Sequence, residues 1–198
     1  MHKNNLSKLL KQKYILASKS PRRINLLRQI GLNFISIDSK TDELEAESHN
    51  PADMVKFNAL SKSRKVAFNY KNEIVIGADT IVVLDKKILN KPANLKQAAD
   101  YLRALSGKKH FVYTGINIIN TKNGNEKFDY EKTAVYFREL GDDEINYYVK
   151  KFKPLDKAGA YGIQDDFGCL FIEKIVGDYY NIVGLPLVRL YKNIIKIL

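Results

Sequence analysis

This sequence predicts an α/β fold: a single domain with a mixed β-sheet flanked by helices. Three observations carry that expectation. Short β-branched runs alternate with amphipathic helical stretches, the pattern of a strand–helix–strand domain. Two long β patterns flank Asn123-Gly124, a strong hairpin signal, so part of the sheet must be antiparallel. The 198 residues contain no repeat, low-complexity tract or linker, and that length suits one domain.

Taken in order, residues 1–13 read as a polar N-terminal extension with a helical turn around Leu6, Leu9 and Leu10, and residues 14–198 as the domain. Tyr14-Ile15-Leu16-Ala17 is a buried strand. Ile24 to Ile30 carries apolar residues at helical spacing and is stopped by Gly31. Ser20 is the expected N-cap, and Pro21 takes the first helical position, where a missing N–H costs nothing. Asn33 to Ile37 follows as a strand, then an acidic loop with Asp42, Glu43, Glu45 and Glu47. Pro51 to Tyr70 predicts a long helix with Met54, Phe57, Leu60 and Val66-Ala67 on its apolar face. Ile74 to Ala78 and Ile81 to Leu84 predict two strands broken by Gly-Ala-Asp-Thr, with a turn at Asp85-Lys86-Lys87. Asn94 caps a helix from Leu95 to Leu105, ended by Ser106-Gly107. The hairpin strands are Phe111 to Asn120 and Lys127 to Phe137. Asp142 to Lys151 is a helix with Ile145 and Tyr148 inward, Leu170 to Ile175 a strand, and Leu187 to Leu198 a closing helix.

Composition narrows the function classes. Lysine and arginine number 33 against 22 acidic residues, a net charge of +11 that suits an anionic partner. The basic residues are scattered along the chain rather than gathered in one block. The single Cys169 excludes an internal disulfide framework and fits a reducing cytoplasm; within Cys-Leu-Phe-Ile it reads as a buried structural thiol. No stretch approaches a membrane span. His2, His49 and His110 are far apart, no His/Cys metal cluster exists, and His110 reads as a hydrogen-bonded scaffold residue. No P-loop and no dinucleotide fingerprint appears, and Ser18 and Ser20 lack a His/Asp support set for hydrolase chemistry.

The informative polar residues punctuate apolar segments. Arg22 and Arg23 occupy the first turn of a helix, where the dipole disfavours cations by about 0.3–1 kcal/mol each. An anion over that helix start, held by hydroxyls, backbone N–H groups and two guanidinium forks, would explain them; the plain alternative is a solvated basic turn. Asp79 interrupts a buried strand, where a carboxylate is expensive unless paired, bound to metal or reactive. Its plain alternative is an Asx-turn between strands. Lys91 after a strand-like piece and Gln164 interrupting the apolar tract at the end of Ala160-Tyr161-Gly162-Ile163 complete the set, against a turn cation and a satisfied buried amide. Glu43 and Asp79 are hard oxygen ligands suited to Mg²⁺ or Mn²⁺ bridging a phosphate.

Several segments in order carry a resemblance. They are Leu16-Ala17-Ser18-Lys-Ser20-Pro21-Arg22-Arg23 with Leu26-Leu27 and Gly31, Gly77-Ala78-Asp79-Thr80, Asn90-Lys91-Pro92, Leu105-Ser106-Gly107 with His110, and Tyr113-Thr114-Gly115. Tyr161-Gly162-Ile163-Gln164, Phe171-Ile172-Glu173, Gly177-Asp178-Tyr179-Tyr180-Asn181 and Gly184-Leu185-Pro186 follow. Together, from Leu16 to about Tyr191, the chain resembles the Maf family of nucleoside triphosphate pyrophosphatases, once described as septum-formation inhibitors. The resemblance implies a Maf/ITPase-like fold and hydrolysis of a nucleoside triphosphate to the monophosphate and pyrophosphate, with a role in cleaning nucleotide pools. Carried onto matching positions, Asp79 is the proton acceptor that activates water. Ser18, Arg22 and Arg23 bind phosphate, and Lys62 and Lys91 face the triphosphate. Glu43 is tied, with Asp79, to a divalent metal. Arg22, Thr80 and Gln164 are linked to base choice, and in the branch preferring dTTP and UTP they read Arg, Thr and Gln, as here. Asp165 departs from the usual Gly after the Gln and bears on nucleotide preference. A homodimer and a cytoplasmic location are further implications. The rival of another class is a basic nucleic-acid-binding module without hydrolase activity, suggested by the +11 charge and twelve tyrosines. A third reading keeps the fold but makes the protein a regulator of cell division.

Overall fold

The computed structural model describes residues 5–44, 50–164 and 167–198. A short helix α1 (Asn5–Leu10) leads into β1 (Tyr14–Leu16), α2 (Pro21–Gln29) and β2 (Phe34–Ser36). The long helix α3 (Pro51–Ala67) precedes β3 (Ile74–Leu84), β4 (Lys87–Leu89) and α4 (Leu95–Leu105). The hairpin β5 (Lys109–Asn120) and β6 (Glu126–Phe137) is followed by α5 (Asp142–Phe152), β7 (Ile172–Val176), α6 (Tyr179–Val183) and α7 (Leu187–Ile197). One mixed sheet results, in the order β2-β1-β3-β5-β6-β7, with β4 also paired to β3. β1 is parallel to β2 and β3, while β4 to β7 pair antiparallel. The parallel pairs need crossovers, and α2 and α3 supply them.

The core splits by sheet face. Leu16, Leu27, Ile76, Ile116 and the inner side of α7 (Leu190, Ile194) form one cluster, and Leu102, Leu105, Val112, Phe137, Tyr148 and Phe171 another. On the opposite face, α3 lays Met54, Val55 and Val66 over Val75, Ile81 and Val83. Leu9 is buried in the first cluster and Tyr14 Oη donates to the Leu9 carbonyl at 2.8 Å, so α1 is packed onto the domain.

Five features differ from the sequence expectation. Gly-Ala-Asp-Thr does not break the strand: β3 runs unbroken for 11 residues, because Gly77 serves close packing rather than a turn. A Cβ at Gly77 would lie 2.3 Å from the Ala59 carbonyl oxygen, and one at Gly115 would lie 2.7 Å from that of Val55. The turn expected at Asp85-Lys86-Lys87 is present, with Asp85 and Lys86 both left-handed (φ 47° and 70°), as a tight hairpin requires. Cys169 is exposed, since its apolar run begins in a 3₁₀ helix (Phe167–Phe171) that buries Phe171 and leaves Leu170 in solvent. Ser20 stands at the N-cap of α2 without a side-chain cap bond. The helix α3 ends at Ala67, three residues early, and α6 was not foreseen. His2, Glu45, Glu47, His49 and Asp165 lie outside the described residues.

His110 is a scaffold residue with a pH consequence. Fully buried, its Nε2 lies 2.7 Å from Tyr161 Oη, and its ring meets Phe137 edge-on at 4.9 Å. Burial pushes the imidazole from 6.5 down to about 4. Between those values the unfolded chain binds a proton that the folded chain refuses. The contribution of His110 to stability is therefore full above pH 6.5 and falls, by up to about 1.4 kcal/mol per pH unit, as pH drops toward 4. Urea melts across that window should show a shallower slope for His110→Asn than for the parent; equal slopes would refute the assignment.

Candidate active site

The site begins with a notch in the sheet. β1 pairs with Ile74 to Ile76 of β3, and β4 takes up the same edge only at Val82. Among the described residues no strand pairs with Ala78 to Ile81 on that side. Successive strand residues face opposite ways, so Asp79 and Thr80 project from opposite faces of β3. The missing neighbour lets both line one cavity of about 360 Å³ at the carboxyl end of β1, where open α/β sheets place ligands.

Asp79 is delivered to its partners by glycines. Gly77 precedes it on β3, and Gly115 is its register partner on β5. Both allow α3 to sit against the sheet, which brings Asn58 and Lys62, one helical turn apart, onto the carboxylate. Lys62 Nζ lies 2.7 Å from Asp79 Oδ1 and 2.8 Å from Glu43 Oε1. Asn58 Nδ2 donates to Asp79 Oδ2 at 3.0 Å. The same amide grips the loop that carries Glu43: Leu44 N–H donates to Asn58 Oδ1 at 2.8 Å, and Asn58 Nδ2 donates to the Leu44 carbonyl at 3.3 Å. For Glu43, burial pushes its pKa up, but Lys62, then Lys91 and Arg23, outweigh it and hold the carboxyl below its ordinary range. Lys91 Nζ stands 3.5 Å from Glu43 Oε2 at the more exposed side.

The two arginines of α2 part company. Arg22 reaches across to Asp156, with Nη1 2.6 Å from Oδ2 and Nη2 donating to the Asp156 carbonyl at 3.1 Å. Arg23 turns inward: Nε donates to the Gly184 carbonyl at 2.9 Å, Nη2 to Thr80 Oγ1 at 3.0 Å and Nη1 to Ser18 Oγ at 3.3 Å. Burial pushes its guanidinium below the ordinary value, against the pull of Asp79 and Glu43. Two free forks over one helix start, as the sequence suggested, is therefore not the arrangement. Arg23 is a buried strut, and its neighbour Ser18 is the donor it prepares. Ser18 Oγ accepts from Arg23 and from Ser20 N–H at 3.2 Å, so its hydroxyl proton is left to donate to an anion. Thr80 is locked to Thr114 Oγ1 at 2.9 Å, and that hydroxyl donates to the Asn181 carbonyl at 2.8 Å.

All nine sequence-picked residues line this one cavity: Ser18, Arg22, Arg23, Glu43, Lys62, Asp79, Thr80, Lys91 and Gln164. Asn58 and Asp156 were missed. Asn58 was legible as a polar residue in the buried stripe of α3, four positions before Lys62. Asp156 sits in a loop with no periodicity to reveal it. As for a divalent cation, no group of three or more His, Cys, Asp or Glu is placed to hold a metal ion among the described residues. Two carboxylates converging on one ammonium do fit Mg²⁺ or Mn²⁺, which use one or two carboxylates and take their remaining oxygens from phosphate and water.

A family model described as "Maf-like protein" matches residues 13–197. The chain belongs to the Maf family. Its Maf relatives include a "dTTP/UTP pyrophosphatase" of Dictyoglomus thermophilum, 47% identical over 182 residues, covering 91% of this chain and 94% of that protein. Another "dTTP/UTP pyrophosphatase", of Bacillus mycoides, is 47% identical over 183 residues, with 92% and 94% covered. Among solved structures the Staphylococcus aureus Ham1 protein matches at 14% identity and a TM-score of 0.45, over 64% of this chain and 72% of that one. Among the described residues no helix of this Maf chain is long and apolar enough to cross a membrane.

Proposed function

We propose that this Maf protein hydrolyses dTTP and UTP to the monophosphate and pyrophosphate. The observation that carries the reading is the cavity itself, in which the carboxylates of Glu43 and Asp79, the cationic side chains of Arg22, Arg23, Lys62 and Lys91, the Ser18 hydroxyl and Gln164 line one cleft. The names of relatives at 47% identity over nearly the whole chain support the same reaction. In this reading Asp79 accepts a proton from water as its oxygen bonds to the α-phosphorus. The bond from that phosphorus to the bridging oxygen breaks, and pyrophosphate leaves. Ser18 donates to a phosphate oxygen, while Lys91 meets the charge on the leaving group. A divalent cation held by Glu43 and Asp79 would neutralise phosphate oxygens when bound. Lys62 and Asn58 hold those two carboxylates in place. Gln164 offers a donor and an acceptor to the O4 and N3–H edge of thymine or uracil, with Arg22 and Thr80 beside it. A homodimer and a cytoplasmic setting belong to the same reading.

A panel of nucleoside triphosphates assayed for pyrophosphate, with and without Mg²⁺ or Mn²⁺, tests it. Release should be greatest with dTTP or UTP and should need the cation. A preference for a purine triphosphate would refute the base assignment.

A further inference from the structure

Lysines that look scattered in the sequence are gathered by the sheet. On the face that α3 covers, the helix packs chiefly against β3 and β5 and leaves much of β6 and β7 open. The register puts Lys109, Tyr136 and Lys174 in one row across β5, β6 and β7, and Tyr113 beside Lys132 two rows on. Tyr130 and Phe128 continue the face along β6. Tyr113 and Phe128 flank Tyr130 with ring centroids 6.3 and 6.4 Å away and planes within about 20° of parallel. Lys132 Nζ lies 4.1 Å from the Phe111 centroid and 5.4 Å from that of Tyr113. Lys109, Lys56 and Lys174 stand 5.5, 5.8 and 5.8 Å from the rings of Phe111, Phe128 and Tyr136. None of these four lysines has a carboxylate partner among the described residues. Asp129 and Glu131 point to the other face, where Arg189 holds them, and Glu126 is held by Arg64.

The geometry points to a second binding surface, distinct from the cavity, on which the bases of a single-stranded oligonucleotide stack against Tyr130 and its neighbours while Lys109, Lys132, Lys174 and Lys56 take its phosphates. Aromatic rings interleaved with ammonium groups are the chemistry such strands use, and exposed rings suit the faces of unpaired bases rather than a duplex, whose bases are stacked inside. A second copy of the chain is the poorer occupant. A two-fold dimer would bring two copies of this lysine-rich patch into one interface, with no carboxylate partner for the four lysines among the described residues.

Fluorescence anisotropy with a short labelled oligouridylate tests this, using the full chain. Binding is expected at low salt. If all four lysines contact phosphate, affinity should drop about 50-fold between about 50 and 200 mM salt. Tyr130→Ala should weaken binding about 5- to 150-fold, the range for losing one stacked base, and Lys132→Glu should reduce it further. Both variants should keep the parent's melting temperature and pyrophosphate release. Four results would overturn the proposal: no binding at low salt, equal binding by the variants, equal binding of the annealed duplex, or displacement by excess pyrophosphate, which would put the strand in the cavity. A dimer seen by sedimentation and split by the same substitutions would give the face to a second copy and refute it as well.

Discussion

Replacing Asp79 by Asn is expected to lower turnover of dTTP by about 10²–10⁴-fold, the contribution of a positioned general base. The carboxylate is 5% exposed and has both oxygens engaged, Oδ1 by Lys62 and Oδ2 by Asn58. Each oxygen keeps a second lone pair, so proton acceptance is not blocked. The amide has no such capacity. It also brings an NH₂ that must face Lys62 Nζ or Asn58 Nδ2, both donors. Asn58 cannot simply rotate, because its Oδ1 is taken by the Leu44 N–H. Some loss of melting temperature should therefore accompany the loss of turnover. Pyrophosphate release measured well below the variant's melting point separates the two effects, and parent-like turnover there would remove Asp79 from the chemistry.

The largest effect on stability is expected from Lys62→Met. Its ammonium is buried between Asp79 and Glu43, and taking away one partner of such a cluster leaves carboxylates facing each other without compensation. Breaking a buried pair in this way costs about 3–5 kcal/mol, and here the low end applies because the Glu43 side chain is 36% exposed. Added Mn²⁺ should raise the melting temperature of Lys62→Met more than that of the parent, since the same two carboxylates suit the cation. Denaturant and thermal melts read both quantities. An unchanged melting temperature without metal would mean that the pair is not what holds α3 and the Glu43 loop to β3.

The fold was largely legible because its signals are local. The Asn123-Gly124 hairpin, the Asn94 cap and the stripe of α5 each depend on a few neighbouring residues and came out where expected. What failed depended on the third dimension. Gly77 looks like a breaker in one dimension and is a close-packing residue in three, so Asp79 sits mid-strand instead of in a turn. The exposure of Cys169 follows from a 3₁₀ turn that an apolar run of four residues does not announce. At the site, the residue types picked from the sequence come together in one cavity, yet their partners were hidden. Arg23 binding the carbonyl of Gly184, 161 positions away, and Arg22 binding Asp156, 134 away, are tertiary facts that no periodicity encodes.

Hydrolysis of dTTP in water enriched in heavy oxygen puts the central claim to its most direct test. Mass spectrometry should find the label in the thymidine monophosphate, the product expected if water activated by Asp79 attacks the α-phosphorus as proposed. Label in the pyrophosphate, or release of orthophosphate in its place, would contradict the arrangement described.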